Sequence, residues 1–156
     1  MEVRIRQLVE EDAKTSYKWR NNPEIFKYTG ANYDHQITLE DETNWIRKII
    51  KNPNDFRCAI LANEVYVGNI YLTDIKDGIG NYHIFIGEQE YWGKGIAKEA
   101  SRQIIEYGFN ILGLREIHLK VKKENIRAKI LYQRLGFKEY ADDCIWYSMK
   151  LAYFSK

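Results

Sequence analysis

An α/β (α+β) fold on a mixed, mostly antiparallel central sheet with helices on both faces follows from three features of the sequence. Alternating apolar and polar residues, the period of a half-buried strand, occur near both ends and through the middle of the chain. Between them lie segments whose apolar residues recur three and four apart, the period of a helix packed on one side. Three strand-like segments also follow one another with only short turns between them, which favours antiparallel pairing.

Val3 and Ile5 alternate with polar neighbours and predict a first strand. Glu10-Glu11-Asp12 then supplies the negative charge that a helix N-terminus attracts, and that helix is expected to run to about Trp19. Residues 20–37 have little periodicity and read as loop. A second helix begins at Thr38, whose spacing to Asp41 is that of a capping box, and carries Trp45, Ile46, Ile49 and Ile50 on one face. Residues 56–61, 65–72 and 79–86 are rich in β-branched and aromatic side chains. Asn63-Glu64 and Lys76-Asp77-Gly78 separate them with turn chemistry, so a three-stranded antiparallel meander is expected. Ala97, Ala100, Ile104, Gly108 and Ile111 share the buried face of the next helix, which Gly113 ends. Ile117, Leu119 and Val121 form a strand, and Asn125 opens a further helix that Gly136 closes. Ile145, Tyr147, Met149 and Leu151 alternate with polar neighbours in the last strand. The order is βααβββαβαββ.

Residues 1–156 are expected to be a single domain, without repeat, linker or low-complexity tract. A hydrophobic share of 45% against 29% charged residues excludes wholesale disorder. The 24 Lys+Arg exceed the 22 Asp+Glu by only two, so the strong basic excess of a nucleic-acid partner is lacking. Cys58, Cys144, His35, His83 and His118 show neither CxxC nor HxxxH spacing, and no metal site or disulfide framework is expected. The opening Met1-Glu2-Val3 has no apolar h-region, and no apolar run reaches the length of a membrane span; a cytoplasmic location with free thiols is expected.

Chemistry concentrates in residues 84–97, where a strand enters a glycine-bearing turn that opens a helix. Glycines let a ligand approach the backbone, and the unpaired N–H groups of a helix's first turn attract phosphate or pyrophosphate. Lys94, Lys98 and Arg102 recur every four residues and share a face beside that turn. A Walker A string is missing, and a Rossmann GxGxxG would need glycine where Lys98 stands.

Here the sequence resembles the GCN5-related N-acetyltransferases, over nearly the whole chain. The family's cofactor loop, Gln/Arg-x-x-Gly-x-Gly/Ala, corresponds to Trp92-Gly93-Lys94-Gly95-Ile96-Ala97; Gly95 and Ala97 match, and Trp92 replaces Gln or Arg. The form Tyr-Trp-Gly-Lys-Gly is similar to the branch containing the ribosomal-protein alanine N-acetyltransferases. Downstream, the segment Asn125 to Phe137 resembles the family element Asn-x-x-Ala-x-x-Leu-Tyr-x-x-x-Gly-Phe with every anchor present.

The resemblance implies acetyl transfer from acetyl-CoA to an amine. It implies that strands 79–86 and 115–121 splay and that the pantetheine arm slots between them. Phe85, Ile86 and Gly87 would hold the pantetheine and thioester, and their N–H groups would face the oxyanion. The amides of Gly93, Gly95 and Ala97 would take the pyrophosphate, with Trp92, Lys94, Ile96 and Lys98 in the same segment. Asn125 and Arg127 would also contact the cofactor; the rest of the basic cluster (Lys120, Lys122, Lys123, Lys129, Arg134) reads as mostly a solvated face. Tyr132 would be the general acid that protonates the departing thiolate.

For the general base, His83, on the strand entering the loop, and Glu88, at its end, are both candidates, directly or through water. An acceptor of low pKa would need no protein base. The acceptor site is expected between the N-terminal helices, at Trp19, Arg20, Asn21, Tyr28 and Tyr33, where aromatic faces and amide side chains suit a sugar ring. The string Trp19-Arg20-Asn21-Asn22-Pro23-Glu24 looks like that of acetyltransferases acting on nucleotide-linked amino sugars, although protein-acetylating relatives carry similar strings. Neither cysteine lies in a cofactor motif, which favours direct transfer in a ternary complex over a covalent intermediate. The expected acceptor is a nucleotide-linked amino sugar or other small amine. A protein N-terminus, or a non-catalytic acyl-CoA-binding module, are the alternatives. Aromatic-rich C-terminal strands suit a homodimer edge.

Overall fold

The computed structural model describes residues 1–26 and 36–153. A seven-stranded sheet in the order β1-β2-β3-β4-β5-β7-β6 forms its centre. The strands are Val3–Gln7 (β1), Phe56–Ala62 (β2), Val65–Lys76 (β3), Ile79–Ile86 (β4), Glu116–Lys122 (β5), Lys138–Asp142 (β6) and Trp146–Ala152 (β7). The helices are Ala13–Arg20 (α1), Pro23–Phe26 (α2), Leu39–Ile49 (α3), Ile96–Asn110 (α4) and Ile126–Arg134 (α5). All neighbours pair antiparallel except β4 and β5.

The expected mixed, mostly antiparallel sheet and the succession of strands along the chain are therefore present, with local differences; Ile111, expected on the buried face of α4, is instead its exposed C-cap. A one-turn helix, α2, occupies part of the segment expected to be loop. Asn22 Oδ1 accepts the Glu24 N–H at 3.0 Å, and Pro23 is preset for a first helical position; a single turn carries no periodicity to read. Strand β3 continues to Lys76, past the expected end at Leu72. Its extension carries an irregularity between Thr73 and Lys76 with Asp74 at φ 50°, so polar residues that resemble a turn sit in a bulged strand.

Other local signals act as the sequence predicts. Thr38 Oγ1 accepts from the Asp41 N–H at 3.1 Å, and Asp41 Oδ2 accepts from the Thr38 N–H at 3.0 Å, closing the capping box of α3. By contrast, the acidic opening Glu10–Asp12 forms a 3-10 turn ahead of α1 instead of its first turn, and Asp12 takes both terminal nitrogens of Arg6 at 2.8 and 2.9 Å.

Two apolar layers hold the sheet. Ile96, Ala100 and Ile104 of α4 pack with Ile60, Ile70, Leu72, Ile117 and Met149 on one face, all fully buried. Ile46 of α3 and Ala13 at the start of α1 pack with Leu8, Ala59 and Tyr71 on the other. The buried carboxylate of Glu42 ties α1 to α3: its Oε2 accepts from Ser16 Oγ at 2.9 Å and Arg20 Nε at 3.2 Å, the pairing a buried charge requires.

The feature that positions the site is the β4–β5 junction. These strands pair only through Ile79↔Glu116, Gly80↔Ile117 and Asn81↔His118, and run on unpaired beyond that point. The sheet is thus split into a wedge between residues 82–86 of β4 and 119–122 of β5. Since the Gly87 N–H bonds to the Val67 carbonyl at 2.7 Å, the antiparallel alternation turns the N–H groups of Ile84 and Ile86 away from β3, into the wedge.

Candidate active site

A cleft of about 1420 Å³ runs from the N-terminus of α4, through the wedge, to the outer wall of β3 and β4 beside α1 and α3. Its two arms are chemically different.

The first arm has a cradle at the start of α4. Gly93 and Gly95 both line it, and both take left-handed conformations, at φ 74° and 79°. Gly95 caps α4 without a side chain, and the first intrahelical bond is Glu99 N–H to the Gly95 carbonyl at 3.2 Å. The N–H groups of Ile96, Ala97 and Lys98 are therefore left for an anionic ligand, and no capping side chain competes. Arg127 overhangs the loop: a Cβ on Gly93 would stand 3.5 Å from its Nη2. Lys98, Asn125 and Arg127 line this arm, and Asn125 also caps α5 by accepting the Ala128 N–H at 3.3 Å. Lys94 is turned toward the Tyr91 ring, 5.9 Å from its centroid, and Ile96 is buried under the helix. The Trp92 indole folds back over β4, its Nε1 donating to the Ile86 carbonyl at 3.0 Å, and it too lines the cleft.

Ser101 locks the cradle to the wedge. Its Oγ donates to the Ala97 carbonyl and meets the Tyr82 hydroxyl, both at 2.6 Å, tying the first turns of α4 to β4. Tyr132 of α5 stands edge-on to Tyr82, with centroids 5.5 Å apart, and lines the cleft. Burial pushes the Tyr132 phenol up to about 12, so it holds its proton at any working pH.

The second arm carries His83. Cross-strand from Tyr71 on β3, it bonds through Nε2 to Thr73 Oγ1 at 3.0 Å. His83 is open to the cleft, yet the walls strip enough water to lower its pKa. Desolvation is the largest cause, the Arg57 charge adds to it, and Asp74 and Asp55 oppose it. The imidazole is therefore neutral and able to accept a proton at neutral pH. Glu88, the other candidate base, accepts the Trp19 indole N–H at 2.9 Å and is not among the walls of the cleft.

The residues expected at the acceptor site separate. Arg20 lines the cleft, stacked 3.8 Å from the Trp45 centroid. Trp19 is 4% exposed, packed on Tyr66 and Phe85, and stands outside the cleft walls; Gly87 makes room for its ring. Asn21 clamps Ile37 to the end of α1, exchanging hydrogen bonds of 2.7 and 2.8 Å with its backbone. Tyr28, Tyr33 and His35 lie outside the described residues. Phe85 and Ile86 line the wedge, whereas Gly87 is buried and its N–H is taken by Val67.

Sequence reasoning placed Trp45 only on a packed helix face and assigned no site role to Asp55, Arg57, Tyr71, Thr73 or Asp74; all six line the second arm. The available signal was register: in an antiparallel meander Tyr71 and Thr73 share a face with His83. Among the described residues, no group of three or more His, Cys, Asp or Glu side chains is placed to hold a metal ion, and no helix is long and apolar enough to cross a membrane.

Residues 2–138 match the family described as the acetyltransferase (GNAT) domain. The chain is 30% identical over 138 residues to the spermidine N(1)-acetyltransferase of Escherichia coli K12, covering 86% of this chain and 72% of that protein. It has the fold of a spermidine N-acetyltransferase from Vibrio cholerae in complex with CoA and spermine, with a TM-score of 0.87, 24% identity and coverage of 96% and 95% of the two chains. A dodecameric structure of the Vibrio cholerae spermidine N-acetyltransferase superposes with a TM-score of 0.80 at 23% identity, covering 96% and 93%.

Proposed function

The chain belongs to the GNAT acetyltransferase family and is an acetyl-CoA-dependent N-acetyltransferase, and from that premise we propose that its acceptor is a polyamine, acetylated on a primary amine by direct transfer. The observation that carries the mechanism is the single cleft that joins the glycine cradle and Tyr132 to His83 across the split between β4 and β5.

The N–H groups at the start of α4 would hold the pyrophosphate of acetyl-CoA, with Lys98 and Arg127 supplying positive charge. The wedge-facing edge of β4 would hold the pantetheine arm, and the Ile86 N–H would supply a donor where charge develops on the thioester oxygen. His83, held by Thr73 and kept neutral, removes a proton from the acceptor ammonium, directly or through water. The free amine then displaces the thiolate from the acetyl carbon: the C–N bond forms as the C–S bond breaks, Tyr132 gives its proton to the thiolate, and the excess proton on the new amide nitrogen passes through solvent to the tyrosinate and restores Tyr132. No cysteine enters this sequence: Cys58 is buried with its thiol pushed up to about 12 by desolvation, and neither cysteine lines the cleft.

The polyamine assignment takes the place of the amino sugar suggested by the aromatic and amide side chains near residue 20. Trp19 and Asn21 are engaged in packing and in clamping Ile37, and the Escherichia coli relative is named for spermidine. The experiment is a comparison of kcat/KM for spermidine, a nucleotide-linked amino sugar and a short peptide with a free N-terminus, read as thiol release from acetyl-CoA. Spermidine should be preferred by at least about tenfold; preference for the sugar or the peptide would overturn the acceptor assignment but leave the transferase chemistry in place. Self-association through the exposed edge strand β6 is the matching reading for partners, and sedimentation of the purified chain tests it.

A further inference from the structure

We propose that Tyr71 and Asp74 form the far end of the acceptor site and read a second nitrogen of the acceptor, an inference that rests on the polyamine reading above. Tyr71 is only 7% exposed and lines the second arm of the cleft. Its hydroxyl is fully buried and makes no hydrogen bond. Asn69 stands nearby, its Oδ1 accepting from the Tyr66 hydroxyl at 2.5 Å. A buried hydroxyl without a partner is costly, and a ligand group that supplies the missing bond removes that cost.

The position of that hydroxyl is informative. Tyr71 stands directly opposite His83 in the β3–β4 register, so both side chains project from one face of the sheet as close neighbours. An acceptor whose reacting nitrogen meets His83 has the rest of its chain within reach of Tyr71. Asp74 follows at the bulge, held in the left-handed region at φ 50°, with its N–H anchored to Asp55 Oδ1 at 3.0 Å. Its exposed side chain lines the same arm, near enough for its charge to act on His83.

The cations on this wall have counter-charges: Arg57 is 3.0 Å from Asp55 and Arg20 is 3.2 Å from Glu42. The Asp74 carboxylate, by contrast, forms no salt bridge or side-chain hydrogen bond among the described residues. A buried hydroxyl oxygen without a partner and a carboxylate without a counter-charge, both lining this arm of the cleft, suit a protonated amine. A linear polyamine presents such a group a short methylene spacer away from the nitrogen that reacts, whereas a monoamine has nothing to place there.

The test compares spermidine with a linear monoamine of equal length in the wild type, Tyr71→Phe and Asp74→Asn. Asparagine tolerates the left-handed backbone at position 74, and phenylalanine keeps the ring that packs at position 71. Each substitution should raise KM for spermidine about tenfold, with KM for acetyl-CoA and KM for the monoamine within about twofold of wild type. Tyr71→Phe should also melt no lower than wild type, since it removes an unsatisfied buried hydroxyl, so a fall in activity cannot be laid to misfolding. Wild-type preference for spermidine that survives both substitutions overturns this inference and leaves the polyamine reading intact. An equal rise in KM for the monoamine also overturns it. A wild type that does not distinguish spermidine from the monoamine overturns both.

Discussion

Replacing Gly87 by alanine tests how the acceptor side of the fold is fastened to the wedge. A Cβ at this position would lie 2.0, 2.3 and 2.5 Å from three atoms of the Trp19 indole, distances at which something must move. The indole has little freedom: it is 4% exposed, packs 4.8 Å from the Tyr66 ring and 5.9 Å from Phe85, and donates its N–H to Glu88 at 2.9 Å. On the other side, the Gly87 N–H is fixed to Val67. Overpacking a core site usually costs about 1–3 kcal/mol, and this clash with a rigid ring belongs at the upper end, about 3 kcal/mol. For a chain of this size, that corresponds to a fall in Tm of roughly 6–12 °C. Calorimetry or a dye-based melt measures it. The cause is tested by a cycle with Trp19→Leu: if the indole is what the new methyl meets, the double variant should be less destabilised than the sum of the two singles. A Gly87→Ala variant that melts within 1–2 °C of wild type (a change of about 0.5 kcal/mol or less), or strictly additive effects in the cycle, would refute this account of the junction.

Four further outcomes follow from the site. Tyr132→Phe should lower kcat by about 10²–10⁴ while acetyl-CoA still raises Tm, because the ring is kept and only the proton donor is lost; unchanged kcat would remove Tyr132 from the mechanism. Since the His83 pKa is lowered from 6.5, kcat/KM should hold down to that pH and fall only below it, and His83→Gln should abolish this acid limb. The same shift has a stability sign: the unfolded chain binds the proton more readily, so the contribution is complete above pH 6.5 and is lost as pH falls through the lower folded value, a slope of Tm that His83→Gln should flatten. Gly95→Ala meets nothing within 4 Å, so its cost is the left-handed backbone alone, about 1–2 kcal/mol, read as a Tm fall of roughly 2–8 °C with a raised KM for acetyl-CoA.

What the sequence made legible was local in origin. The capping box at Thr38, the turn at Asp77-Gly78, the glycines of the cofactor loop and the Asn125 cap each depend on neighbouring residues, and each appears where the spacing placed it. The cradle at the start of α4 belongs to this class. The second arm of the cleft does not. Tyr71, Thr73, Arg57 and Asp74 come together only through strand register and a bulge, and a polar Thr-Asp pair looks like a turn until the partner strand is in place. Trp19 shows the reverse error of locality: a tryptophan beside asparagines and a proline suits a sugar site, but burial of its large ring against Tyr66 and Phe85 leaves it outside the cleft. The proposed preference for His83 over Glu88 likewise rests on a long-range contact, the indole of residue 19 donating to the carboxylate of residue 88.

The central claim is that the split between β4 and β5 receives the cofactor, and amide hydrogen exchange with and without CoA tests it directly. The N–H groups of Ile84 and Ile86 face the open wedge, and those of Ile96, Ala97 and Lys98 start α4 without intrahelical partners, so all should exchange readily in the free protein. CoA should slow exchange at Ile86 and at residues 96–98, with no matching change at the β1 and β6 edges of the sheet. Protection that is absent from these amides at saturating CoA, or that appears only at a sheet edge, would contradict the account.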